Sequence, residues 1–355
     1  MRKCFLIAFC VACASLLLAG CKHVTGPKFD PRAKNVGAIT NLTTLGTNAV
    51  SSALLQAPTN YFTLGPGDRL EIEIFGETGS RATTTVGPDG KIYYHLLPGI
   101  DVWGLTLADT KALLERELSK FVTAPQVGVT LRGIESKRVW LLGRLQNSGV
   151  YPMAAPMTLL ESISLAGGSL SSSASGTTEE LADLRHSFII REGKMLPVDF
   201  HQLLAEGNMA YNIYLRPDDF VYLPSALARD VYVLGAVRQP KAVGFGDQAT
   251  LVTAIASAGG TIKNAYDQHV AIVRGSLTNP QIAIVDFRAI VKGEAPDVKL
   301  EPRDIVYVPF SPYRILSKYA DLILTTFVRA VAINEGARAA SKDAGTVSVG
   351  ISIGR

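Results

Sequence analysis

The sequence is short of cysteine, histidine and uninterrupted apolar runs, and each shortage closes off a class of protein. Four cysteines occur in 355 residues. Cys4, Cys10 and Cys13 fall in an N-terminal apolar stretch, which leaves Cys21 alone in the rest of the chain. No disulfide can form within such a remainder, so packed cores must hold it together. The histidines, at 23, 95, 186, 201 and 269, show no metal-ligand spacing. Charge is nearly balanced, with a formal net of +4, and gives no electrostatic footprint for nucleic acid. No phosphate-loop signature appears, and Gly65-Pro66-Gly67 belongs to a turn, not a dinucleotide fingerprint. Glu179-Glu180 and Asp218-Asp219 read as solvated loop and turn residues, and His186 beside Arg185 as surface. The expectation is a non-enzyme with no metal and no cofactor.

What is present begins with a secretory signal over residues 1–20. Arg2 and Lys3 precede an apolar run at 4–18, and Leu18-Ala19-Gly20-Cys21 follows. The run falls short of the ~20 residues that a membrane span needs. Removing residues 1–20 leaves 335 residues and lowers the formal charge from +4 to +2, since Arg2 and Lys3 go with it. Residues 21–58 are polar, with scattered glycine and proline, and read as a tether.

The chain also repeats itself. Leu215, Pro217, Asp219, Val221, Tyr222 and Pro224 recur 85 residues later as Leu300, Pro302, Asp304, Val306, Tyr307 and Pro309. Val139-Trp140-Leu141-Leu142-Gly143 is answered by Val231-Tyr232-Val233-Leu234-Gly235 at an offset of 92, which Gly167-Gly168 and Gly259-Gly260 share. Asp199-Phe200 and Asp286-Phe287 lie 87 apart, the shrinkage falling partly in a Ser- and Gly-rich run at 169–178, read as a loop insertion. Two modules, 136–225 and 226–310, each read as strand, turn, helix, Gly-Gly, strand, strand, Pro-Asp turn and strand. A small mixed sheet crossed by one helix satisfies that order. Duplicated modules tend to build scaffolds and pores, not a single catalytic cleft.

A first unit, 59–135, opens on Leu64-Gly65-Pro66-Gly67-Asp68, an echo of the repeated turn, and continues into alternating Leu70, Ile72 and Ile74. Pro88-Asp89-Gly90-Lys91 makes a turn, residues 106–118 a helix capped by Thr106, and Val127, Val129 and Leu131 a closing strand.

After the modules, Ser311 and Pro312 start a helix that Gly336 would stop. Its ~24 residues would span ~36 Å, about a bilayer core. Lys318, Asp321, Thr325 and Arg329 share a polar arc with Ser317 and Glu335; Ile315, Tyr319, Leu322, Ile323 and Phe327 lie among the apolar remainder, and Val328 and Ala332 interrupt the polar arc. A lone helix of this kind cannot cross lipid cheaply, because each central charge costs ~2.5–3.5 kcal/mol. A ring of such helices, polar arcs inward, removes most of that penalty. The alternatives are a helix on the membrane surface and one packed on the chain's own sheets. In the tail, 337–355, residues 346–353 alternate as a strand.

Two resemblances come from these motifs. Leu18-Ala19-Gly20-Cys21 resembles a bacterial lipobox, implying a diacylglycerol on Cys21; Lys22 beside it looks like an outer-membrane destination. Leu64-Gly65-Pro66-Gly67-Asp68, the Pro88–Ile92 turn, Leu105-Thr106-Leu107-Ala108 and Pro125-Gln126-Val127 resemble the outer-membrane polysaccharide export (OPX) lipoprotein family, Wza type, with two soluble-ligand-binding β-grasp (SLBB) modules. The sequence departs at Ser148-Gly149 and Pro240-Lys241, where that family commonly has Pro-Gly. The resemblance implies an α+β fold whose C-terminal helix spans the membrane in an oligomeric α-barrel. It further implies a homo-oligomer, an octamer, exporting capsular or exopolysaccharide, with the bulk of the chain in the periplasm. An inner-membrane co-polymerase or tyrosine autokinase would be its docking partner. On that picture Lys318, Asp321, Thr325 and Arg329 line the pore, and Ile315, Tyr319, Leu322, Ile323 and Phe327 face lipid. The rival reading is a periplasmic glycan-binding lipoprotein that forms no pore.

Overall fold

A computed structural model describes residues 36–343 apart from 38, 40–41, 46–48, 60–61, 96, 175–176, 247–248 and 313–314. The signal, Cys21 and the alternating 346–353 segment lie outside the described residues.

Two short strands come first, β1 (Val36–Gly37) and β2 (Thr43–Thr44). The first domain then runs β3 (Arg69–Ile74), β4 (Ala82–Thr85), β5 (Lys91–Ile92), β6 (Ile100–Asp101), α1 (Leu107–Leu118) and β7 (Val127–Gly133). Alternation in β3 puts Leu70, Ile72 and Ile74 inward, as the period of two demands. β3 sits between β4 and β7, while β5 and β6 pair apart from that sheet. The Thr106 hydroxyl accepts the Asp109 N–H to start α1, whose Leu114 and Leu118 reach the core around Leu64, Ile92 and Val102.

Module 1 comprises β8 (Arg138–Gly143), β9 (Gly149–Pro152), α2 (Leu159–Leu165), β10 (Ser171–Ala174), β11 (Thr177–Glu180), β12 (Phe188–Arg191), β13 (Lys194–Met195), α3 (Phe200–Leu204) and β14 (Phe220–Leu223). Module 2 follows with β15 (Asp230–Gly235), β16 (Lys241–Gly244), α4 (Leu251–Ser257), β17 (Val270–Gly275), β18 (Pro280–Val285), α5 (Phe287–Val291), β19 (Asp297–Val298) and β20 (Ile305–Val308). The sheet orders β13-β12-β14-β8-β9 and β18-β17-β20-β15-β16 are the same arrangement twice. In each, the module's first strand pairs in parallel with its last, Gly143 opposite Leu223 and Gly235 opposite Val308. Both Gly-Gly pairs take positive φ at helix ends, where the Gly168 and Gly260 N–H groups bond back to the Ile163 and Ile255 carbonyls. Asp199 and Asp286, matched in the repeat, are the N-caps of α3 and α5.

Three expectations need correction. The 169–178 insertion is not a plain loop, since β10 and β11 pair there as a hairpin. The described residues between 36 and 58 are not a free tether. β1 pairs with β19 and β2 adds to the β18 edge, Ile39 packs on the module 2 core, and Val50 and Leu54 pack on module 1. Backbone pairing and a few apolar side chains suffice to lay a polar-looking segment along a sheet edge. The terminal helix, α6 (Leu316–Asp343), runs through Gly336. The ~1 kcal/mol that glycine costs a helix is spread among good formers, Ala337, Arg338, Ala339 and Ala340.

Candidate functional site

The repeated turn is built around a buried carboxylate. Asp68, Asp219 and Asp304 are each fully buried, and each accepts the N–H three residues back, from Gly65 at 3.0 Å, Arg216 at 2.8 Å and Glu301 at 2.8 Å. The residue before each has left-handed φ, +91° at Gly67, +67° at Asp218 and +72° at Arg303, as a Pro-led type II turn requires. Arg191 clasps Asp219 through two bonds of 2.8 and 2.7 Å; Arg274 clasps Asp304 through two of 2.9 and 2.7 Å. Asp68 instead takes the Ser136 hydroxyl and the Glu135 and Ser136 N–H groups, which ties the first domain to module 1. Sequence reasoning missed Arg191 and Arg274. The available signal was Ile-Ile-Arg191 against Ile-Val-Arg274, 83 residues apart.

α6 lies over the seam between the modules. Its Tyr319, Ala320, Ile323, Leu324, Phe327, Val328 and Val331 are buried in one cluster with Phe188 of module 1 and Leu234, Ala271, Ile305 and Tyr307 of module 2. Phe327 meets Phe188 and Tyr232 edge-on at 6.3 and 4.8 Å between centroids, and the Tyr319 hydroxyl donates to the His269 carbonyl at 3.0 Å. The lipid-facing assignment therefore fails in this structure for Tyr319, Ile323 and Phe327, which bury against the chain's own modules. Leu322 is half-buried beside them, and Ile315 is exposed. Of the residues assigned to a pore, Lys318 and Asp321 are exposed and Thr325 is half-buried. Arg329, also exposed, donates from Nε to the Gly193 carbonyl of module 1 at 3.2 Å. Among the described residues no helix is long and apolar enough to cross a membrane. The physical reason is in the arc itself. Val328, which interrupts the polar arc, is 1% exposed, so the buried stripe is rotated toward the modules and the apolar excess is absorbed by them.

Residues 56–132 match the family described as polysaccharide biosynthesis/export protein, and residues 137–223 and 229–308 each match the SLBB domain. The chain belongs to the outer-membrane polysaccharide export family with SLBB domains. The two matched SLBB segments coincide with the two sheets of identical strand order, and the remaining match with the first, or export, domain. An EPS I polysaccharide export outer membrane protein EpsA of Ralstonia nicotianae is 27% identical over 274 residues, covering 76% of this chain and 69% of that protein. One of the same name from Ralstonia solanacearum is 24% identical, covering 88% of this chain and 93% of that protein. The family is one of transport proteins, not enzymes. Among the described residues no group of His, Cys, Asp and Glu could hold a metal ion.

Between the two SLBB modules lies a charged knot. Asp183 and His186 belong to module 1 and Arg303 to the turn of module 2. The Asp183 carboxylate sits 2.6 Å from His186 Nδ1 and 2.9 Å from Arg303 Nη1. The Arg303 guanidinium also donates to the Ala226 and Ala228 carbonyls of the inter-module connection. Burial alone would raise the Asp183 pKa, but the His186 hydrogen bond, Arg303 and the Arg185 N–H together hold it below the ordinary carboxylate value. A carboxyl depressed in the folded state stabilises it fully above its unfolded pKa, about 4, and loses that contribution as pH falls toward the folded value. Urea midpoints measured between pH 7 and pH 3 should therefore fall less steeply in Asp183→Asn than in the parent chain; parallel acid limbs would show that the knot is uncoupled from folding.

Proposed function

We propose that this chain is an outer-membrane export component for capsular or exopolysaccharide, anchored by lipid on Cys21 with its bulk in the periplasm. It acts as a homo-oligomeric ring and is fed by an inner-membrane co-polymerase or tyrosine autokinase. The observation that supports this most is the serial build: an export domain followed by two SLBB modules of one topology, the first joint made by the buried Asp68 turn on Ser136 and the second by Arg303 on Asp183 and the Ala226 and Ala228 carbonyls. Such rigid segments suit side-by-side assembly around a conduit better than a closed catalytic cleft.

The exit step depends on α6. For a spanning ring, α6 must leave the seam between the modules. Burial of its seven seam-facing side chains, Tyr319 to Val331, contributes on the order of 10 kcal/mol gross, at about 1.5–3 kcal/mol for each large one. Lipid would restore much of that apolar burial, while Lys318, Asp321 and Arg329 require a wet lumen shared among copies. A second reading, a periplasmic glycan-binding lipoprotein that forms no channel, is favoured by the docked position of α6. Truncation after Pro309 does not separate the two, because it would strip the cover from Phe188, Tyr232 and Tyr307. A tag appended after Arg355 does. Antibody reaching it on intact cells supports the spanning ring, and access only after opening the outer membrane supports the docked form. Loss of surface polysaccharide when the gene is deleted supports export; undiminished surface polymer overturns it.

A further inference from the structure

The described aromatics that are exposed are Phe75, Tyr93, Trp103, Phe121 and Phe310, and all but Phe310 belong to the export domain. Water contact with a Trp at 63% and a Tyr at 61% is costly in apolar area unless a partner uses it. Tyr93 and Trp103 flank one small element, the β5–β6 pair, the first just after β5 and the second two residues after β6. Its register sets Lys91 opposite Asp101 and Ile92 opposite Ile100, and Ile92, Tyr94, Ile100 and Val102 turn into the core. Lys91 and Asp101 are thereby sent to the other face, and Tyr93 and Trp103, beside them in the chain, are exposed with Asp101.

Both rings rest on glycine. A methyl group on Gly99 would lie 2.9 to 3.2 Å from the Tyr93 ring edge and hydroxyl, and one on Gly90 would lie 3.1 Å from the Trp103 indole. Each ring therefore lies close against bare glycine backbone on one side and leaves most of its surface, 61% for Tyr93 and 63% for Trp103, open to solvent. Their positions are held. The Tyr93 hydroxyl donates to Asp89 Oδ2 at 3.3 Å, Asp89 Oδ1 accepts the Lys91 N–H, and Asp101 Oδ1 accepts the Trp103 N–H. From the position opposite Tyr93 to Trp103 is four residues, at most ~13 Å at the rise of a strand. That is room for more than one sugar ring.

We propose that Tyr93 and Trp103 form a stacking platform for pyranose rings of a passing polysaccharide, with Asp89, Asp101 and Lys91 meeting its hydroxyls. The chemistry is that of an amphipathic ligand: the C–H face of a sugar lies on the aromatic face, while its rim of hydroxyls needs charged or polar acceptors and donors at the edge. A protein partner would ask for a broader apolar surface than two flat rings bordered by carboxylates and a lysine. The inference deepens the export reading by naming a polymer contact, and it stands on that reading for the identity of the ligand class.

Trp103 and Trp140 are the chain's only tryptophans, and a Trp140→Phe variant of the lipid-free mature chain makes Trp103 a single reporter. Titration with β-1,4-glucan, β-1,3-glucan and oligogalacturonate hexamers should give a saturable blue shift with at least one. Tyr93→Ala, read by the same tryptophan, should weaken that binding about tenfold, the equivalent of ~1.4 kcal/mol. By calorimetry Trp103→Ala should do the same and Trp103→Phe should restore most of it. No saturable response to any of the three, or equal affinity in Trp103→Ala with unchanged circular dichroism, overturns the platform. So does a shift that tracks protein concentration without sugar, which would make the patch a contact between copies. Binding that survives while gene deletion leaves export intact would sink the export reading and keep the platform; lost export with no platform binding does the reverse.

Discussion

Gly143→Ala and Gly235→Ala should each unfold the module that carries them. A methyl at Gly143 would stand 2.0 Å from the Leu223 carbonyl oxygen, and one at Gly235 would stand 2.1 Å from that of Val308. Neither oxygen can retreat, because each already accepts a hydrogen bond of 2.7 Å from the residue after the glycine, Arg144 and Ala236. Backbone at φ +98° and +84° adds the strain of a left-handed conformation. The parallel pairing of first and last strands would have to open, and we expect a loss of about 4 kcal/mol or more, the range reserved for core disruption. Gly244→Ala is the control, with nothing within 4 Å of its added methyl and no positive φ, and should stay within ~0.5 kcal/mol. Soluble yield and urea unfolding of the three variants would check this. A Gly143→Ala chain as stable as the control would mean that β8 and β14 are not paired as described.

Phe327→Ala should release α6. The side chain is 4% exposed and fills the seam between Phe188 and Tyr232, so truncation combines lost burial with a cavity, about 3–5 kcal/mol. Ile333→Ala, at a residue 72% exposed, should change almost nothing. Hydrogen exchange across α6 is the direct measurement. Protection should fall throughout the helix in Phe327→Ala while the sheets of both modules keep theirs. Unchanged protection would place the docking energy elsewhere on the helix.

Much of this architecture was readable because duplication writes the same physics twice. Asp219 and Asp304 declare a turn that needs a buried acceptor, and Asp68 echoes it; the glycine pairs declare helix ends. The rest was hidden for identifiable reasons. An amphipathic helix shows that one face is buried but not what covers it, so Tyr319, Ile323 and Phe327 fitted lipid as well as they fit Phe188 and Tyr307. Only Val328, misplaced in the polar arc, pointed to the seam. Arg191 and Arg274 find their aspartates across the sheet, 28 and 30 residues on, a distance that local pattern cannot bridge. β1 and β2 escaped because edge pairing uses backbone, which every sequence has. The aromatic pair flanking β5 and β6 became visible only once Gly90 and Gly99 were seen beside the rings.

The seating of β2 against β18, and of β1 against β19, also orders events in time. β1 and β2 have no mate until residues 281–298 exist, so neither can be seated as it is made. Loops of such length close slowly. A growing chain must therefore carry both as unpaired strands until most of module 2 has been made, and their seating certifies that β18 and β19 have arrived.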